Sequence, residues 1–103
     1  MTEQPPRRDA QMVAILVDGT KDRRDRVEAA RVLAMSDSPS CWTVLQEVAE
    51  RSDEHAGVLR AAGQSLAIAL LRAGKLLEAP LANLTPEAYL AFDDYVAARQ
   101  NEQ

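Results

Sequence analysis

Aromatic residues are scarce in this chain of 103 residues: one Trp, two Tyr and one Phe make up 4% of it. A sheet-based core draws on aromatic and β-branched side chains, so this shortage argues against one. There is a single cysteine, Cys41, which excludes an intramolecular disulfide. With only one histidine beside it, His55, the chain is too poor in soft ligands for a typical structural zinc site. No apolar run approaches the roughly 20 residues that a membrane-spanning helix needs. The N-terminus has Arg7 and Arg8 but no long apolar core leading to a small-residue cleavage site, so no signal peptide is expected and the expected location is cytoplasmic. An excess of basic residues is also missing. The net charge is −4 and the pI about 4.9, which argues against a nucleic-acid binder.

What is present points to helices. Hydrophobic residues make up 47% of the chain, and Ala and Leu supply most of them. These residues lose little entropy in a helix. A chain of this length forms one domain around one core. Its charge is uneven. Met1 to Arg31 carries seven basic and six acidic residues, Val32 to Arg60 two and five, and Leu81 to Gln103 one and four. The acidic excess therefore lies in the middle and at the C-terminal end.

The pattern of apolar residues and turn signals predicts four or five antiparallel helices. Residues 1–6 read as a leader, because Pro5-Pro6 resists helix. A first helix is expected from about Arg7 to Val17, ended by Asp18-Gly19-Thr20 with Gly19 in the left-handed conformation. A second is expected from about Asp22 to Met35. Ser38 and Pro39 then open a third, to about Arg51, as N-cap and first helical residue. The fourth, about Glu54 to Ala73, carries the stripe Leu59, Ala62, Gly63, Leu66, Leu70 and Ala73, with Asp53 as its expected cap. Gly63 in that stripe is expected at a close contact between helices. Gly74 closes the fourth helix. Lys75 to Leu84 has room for one short helical turn. Thr85 caps the last helix, Pro86 starts it, and it runs to about Arg99, leaving 100–103 as a tail. The single helical domain thus covers 7–99.

Two stretches repeat one another. Arg26-Val27-Glu28-Ala29-Ala30 with Leu33-Ala34 is echoed by Leu59-Arg60-Ala61-Ala62-Gly63 with Leu66-Ala67, at an offset of 32 to 33 residues. In this the chain resembles HEAT-like repeats of the short bacterial kind, also seen in phycobilisome-lyase-type proteins. The resemblance implies stacked helical hairpins and a protein-binding scaffold without catalytic residues or cofactors. A plain small helical bundle fits the same pattern of helices.

Each residue able to carry chemistry has a structural reading beside its functional one. His55 lies near a helix start and reads as a capping or solvent-facing residue; catalysis would need an organised partner. Cys41 lies near a helix N-terminus, where a thiolate is favoured. The preferred reading is a small, buried hydrophobic core residue. Trp42 reads as a core filler or as a binding anchor. Glu47, Glu50 and Glu54 recur at helical spacing, and Asp93-Asp94 adds a second acidic spot. They are either a solvated surface or a docking face for a basic protein. Arg7-Arg8 and the mixed-charge stretch Lys21 to Arg26 read as helix-face ion pairing.

The expected function is that of a noncatalytic module that docks a basic protein partner, with Trp42, Glu47, Glu50, Glu54, Asp93 and Asp94 as partner-binding residues. No metal, nucleic acid or membrane is expected to take part. An immunity- or antitoxin-like inhibitor suits the size and acidity, as does a small adaptor or regulatory subunit. A lyase-like enzyme using Cys41 is the alternative from a different class.

Overall fold

The computed structural model describes residues 7–79 and 81–100. The expected leader and the last three residues of the expected tail lie outside them. Among these described residues five α-helices follow one another: α1 (Arg7–Val17), α2 (Arg23–Leu33), α3 (Pro39–Ala49), α4 (Ala56–Ala73) and α5 (Pro86–Gln100). A single 3-10 turn, Leu76–Glu78, lies between α4 and α5, where one helical turn was expected. Among the described residues there is no strand. The fold is all-α.

Local chemistry explains most of the helix ends, and some differ from expectation. The turn after α1 does not use a left-handed glycine, since Gly74 is the only glycine with positive φ among the described residues. Instead, the Asp18 carboxylate accepts hydrogen bonds from the Thr20 N–H at 2.9 Å and the Thr20 hydroxyl at 2.6 Å. This is an Asx-type turn, in which a side chain replaces the backbone acceptor. Asp22 is the N-cap of α2, accepting from the Arg24 N–H at 2.8 Å. Helix α4 begins later than expected, and its cap is His55 rather than Asp53. The His55 Nδ1 accepts the Gly57 N–H at 2.9 Å. Gly74 ends α4 with φ 71°, and the Lys75 N–H reaches back to the Leu70 carbonyl at 2.9 Å. That is the Schellman arrangement, for which glycine has no steric cost.

Helix α1 packs on α2, and α3 packs on α4. The two hairpins meet mainly through α2 and α4, and α5 packs on α4 as well. Helix α4 is therefore the centre of the molecule, with ten of its eighteen residues buried. The repeat seen in the sequence is also a repeat of burial. The buried positions of α2 are Arg26, Ala29, Ala30 and Leu33, and those 33 residues later are Leu59, Ala62, Gly63 and Leu66, all buried in α4. The N-caps, Asp22 and His55, keep the same offset. The two inner helices thus share one register.

Gly63 is where α5 comes closest. A Cβ built on Gly63 would lie 2.1 Å from the Ala88 carbonyl oxygen and 2.8 Å from both its carbonyl carbon and its Cα. The helix backbones touch there, as expected from the stripe.

The start of α5 is tied to the end of α3. The N–H and the hydroxyl of Thr85 both donate to the Ala49 carbonyl, each at 3.0 Å, and the hydroxyl oxygen accepts the Ala88 N–H at 3.3 Å. One side chain thus satisfies an orphan carbonyl of one helix and an orphan N–H of another. Thr85→Ala is expected to destabilise the protein by about 1–2 kcal/mol, and Thr85→Ser to recover most of that. Urea denaturation of the two variants checks this.

Candidate functional site

The expected partner-binding residues do not form one face. Glu54 is the clearest departure. It lies in the connection before α4, its side chain is nearly buried, and both its carboxylate oxygens are held by Arg26. Arg26 Nη1 donates to Glu54 Oε1 at 2.7 Å, Nη2 donates to Oε2, and Nε donates to the Leu16 carbonyl at 3.0 Å. That carbonyl is among the last four of α1, which have no partner within their own helix. Glu54 is therefore a structural ligand of Arg26, with its carboxylate turned into the fold. The helical spacing of Glu47, Glu50 and Glu54 does not survive either, because α3 stops at Ala49.

Arg26 was expected to pair along an exposed helix face. It is instead 4% exposed, the same as Leu59 at the matching position of the second hairpin. It links α2, the end of α1 and the loop before α4. The guanidinium holds the Glu54 carboxyl below its ordinary range. Arg51 adds to this joint from outside, 3.9 Å from Glu54.

Trp42 is half-buried against the core, and its indole N–H donates to the Ser36 carbonyl at 3.1 Å. Its polar end is thus used internally. Glu50 is half-buried and accepts from the Gln46 amide at 2.7 Å, while Glu47 is exposed. Cys41 is fully buried within the core and is not part of a disulfide. Among the described residues, no three His, Cys, Asp or Glu side chains are placed to share a metal ion.

The remaining pair, Asp93 and Asp94, lies exposed on α5. Here the structure adds two residues that are not among the expected partner-binding ones; Tyr89 is expected from the sequence to pack on Leu84 as a hydrophobic staple. Tyr89 is 42% exposed and Leu90 is 57% exposed. One helical turn separates Tyr89 from Asp93 and Leu90 from Asp94, so each apolar side chain shares a column with an acid. The signal was present in the sequence. Tyr89, Leu90, Phe92, Tyr95 and Val96 surround the axis of α5, and a helix packed on one neighbour cannot bury them all.

The Leu90–Asp94 column also forms one side of a groove of about 680 Å³. Its other side is Val27 and Arg31 of α2, and Gly57, Arg60, Ala61 and Gln64 of α4 lie between. Arg60 is paired across it to Glu87 at 3.1 Å. The groove therefore carries arginines on α2 and α4 and acids on α5.

Among the described residues, no helix is long and apolar enough to cross a membrane. Comparison with protein-family models, curated proteins and solved structures finds no match to this chain.

Proposed function

We propose that this chain is a noncatalytic protein-binding module, and that it docks a basic partner on the outer side of α5. The observation that carries this reading is the exposed set Tyr89, Leu90, Asp93 and Asp94. Exposed apolar side chains supply binding energy when a partner removes them from water, and tyrosine is enriched at such anchors. The adjoining acids steer a partner of opposite charge and fix its register. The net charge of −4 acts in the same direction at longer range. Glu54 and Trp42 leave the proposed site, Glu47 and Glu50 become peripheral, and Asp93 and Asp94 remain.

Kinship with HEAT-like repeats belongs to the same proposal. It is supported by the register shared between α2 and α4, whose buried positions recur 33 residues apart. A stack of hairpins offers a rigid surface, so little order has to be imposed when a partner binds. An immunity- or antitoxin-like inhibitor and a regulatory subunit in the cytoplasm are both forms of this function.

The test uses the full chain as bait in an extract of its native cell, beside Tyr89→Ser/Asp93→Lys and Glu47→Lys/Glu50→Lys variants. The proposal expects one basic protein to be retained by the parent and by the α3 variant, and lost from the α5 variant. Loss from the α3 variant alone would move the site to α3.

A further inference from the structure

We infer that the groove between α2 and α5 is a self-association surface, filled by α5 of a second copy of this chain. The argument starts from its charges. Arg31 lies on the α2 side, and its nearest acid is Glu28 at 3.9 Å, with both side chains about two-thirds exposed. That is a loose, solvated pair of small energetic worth. Asp94 lies on the α5 side and has no hydrogen bond or ion pair among the described residues. Leu90, more than half exposed, shares the column of Asp94 on α5, and the small residues Gly57 and Ala61 of α4 lie between the two sides.

A basic partner complements only the α5 side of this groove, because Arg31 on the α2 side has no acid beyond its loose pair with Glu28. A second copy fits, because the chain's own α5 brings an acid and a leucine together. In a two-fold arrangement, whatever one copy contributes the other returns. Leu90 of each copy enters the other's groove over Gly57 and Ala61, where small side chains permit a helix to approach. Asp94 of each then meets Arg31 of the other, and both pairs form at once. Tyr89 and Asp93 do not line the groove. Self-association therefore leaves half of the proposed docking set uncovered, and it does not depend on the docking proposal.

Sedimentation equilibrium of the full chain, from micromolar to near-millimolar concentration, tests this. A concentration-dependent dimer is expected, weakened by added salt. Arg31→Asp and Asp94→Arg are each expected to weaken it by about tenfold or more, because each sets like charges against one another. Mixing the two variants restores both ion pairs in a heterodimer, with two acids on one copy facing two arginines on the other. The mixture is therefore expected to associate about as tightly as the parent. Both sites are exposed, and unchanged thermal melting of each single variant verifies that the fold is intact. A chain that stays monomeric throughout would overturn the inference. So would a dimer indifferent to either substitution, or one that the mixture fails to restore.

Discussion

Gly63→Ala is expected to destabilise this protein strongly, although alanine is the better helix former. In an exposed helix interior the same change would stabilise by roughly 0.5–1 kcal/mol. Here the new Cβ would sit 2.1 Å from the Ala88 carbonyl oxygen, well inside any tolerable contact. The obstacle is backbone, so no side-chain rotation relieves it. Helix α5 must shift away from α4, which opens the contacts of the buried Ala88 and Phe92. The expected cost is at or above the upper end of the roughly 1–3 kcal/mol seen for overpacked cores, and Gly63→Leu is expected to cost more. Since a domain of this size has only about 5–15 kcal/mol of stability, such a loss is large. Thermal and urea denaturation read it directly. A Gly63→Ala variant that melts at or above the parent temperature would mean that the two backbones are not in contact there.

Arg26→Ala is the second large effect, at about 3–5 kcal/mol. It leaves the Glu54 carboxylate without its bidentate partner at a site of 10% side-chain exposure, and it leaves the Leu16 carbonyl without a donor. Lysine cannot replace a planar group that makes three directed bonds, so Arg26→Lys is expected to recover only part of the loss. Replacing both partners with leucine is a different matter. The second hairpin already places Leu59 at the equivalent position, and buried ion pairs exchanged for apolar residues are often neutral in stability. A double-mutant cycle with Arg26→Leu and Glu54→Leu is therefore expected to show strong coupling, with the double variant more stable than either single one. Additive losses would contradict the pairing.

The same pair has a pH signature of definite sign. Arg26, first of all through its hydrogen bonds, lowers the Glu54 pKa in the folded protein. A lowered folded-state pKa contributes stability above the unfolded value, near 4.5, and that contribution is lost as pH falls through the folded value. The parent is expected to lose stability on acidification below about pH 4.5 more steeply than Glu54→Gln does. Denaturation curves between neutral pH and pH 3 distinguish the two slopes.

The helical architecture was legible because it rests on local signals. Pro39, Thr85-Pro86 and Gly74 punctuate the chain through backbone chemistry that needs no tertiary information. Gly63 was legible too, because a small residue inside an apolar stripe has few other uses. The charged residues were not. Arg26 sits in a run of alternating charges that looks solvated, and only the packing of two hairpins buries it beside Glu54. The start of α4 moved for a related reason. Glu54 is held outside the helix by Arg26, and His55 takes the capping position beside it. The acidic face failed as a unit because its residues lie on separate elements: Glu47 on α3 and Glu50 just past its end, Asp93 and Asp94 on α5. The exposed apolar pair Tyr89 and Leu90 was readable from the crowding of apolar residues around α5, because a single neighbour covers only one face of a helix.

The proposed docking face on α5 is tested most directly by placing a photo-crosslinking side chain at Asp93, at Thr43 on the exposed side of α3, or at neither, in the native cell. A crosslinked adduct with a basic protein from position 93, and none from position 43, is the expected result. An adduct from position 43 with none from position 93 would contradict the assignment of α5 as the docking face.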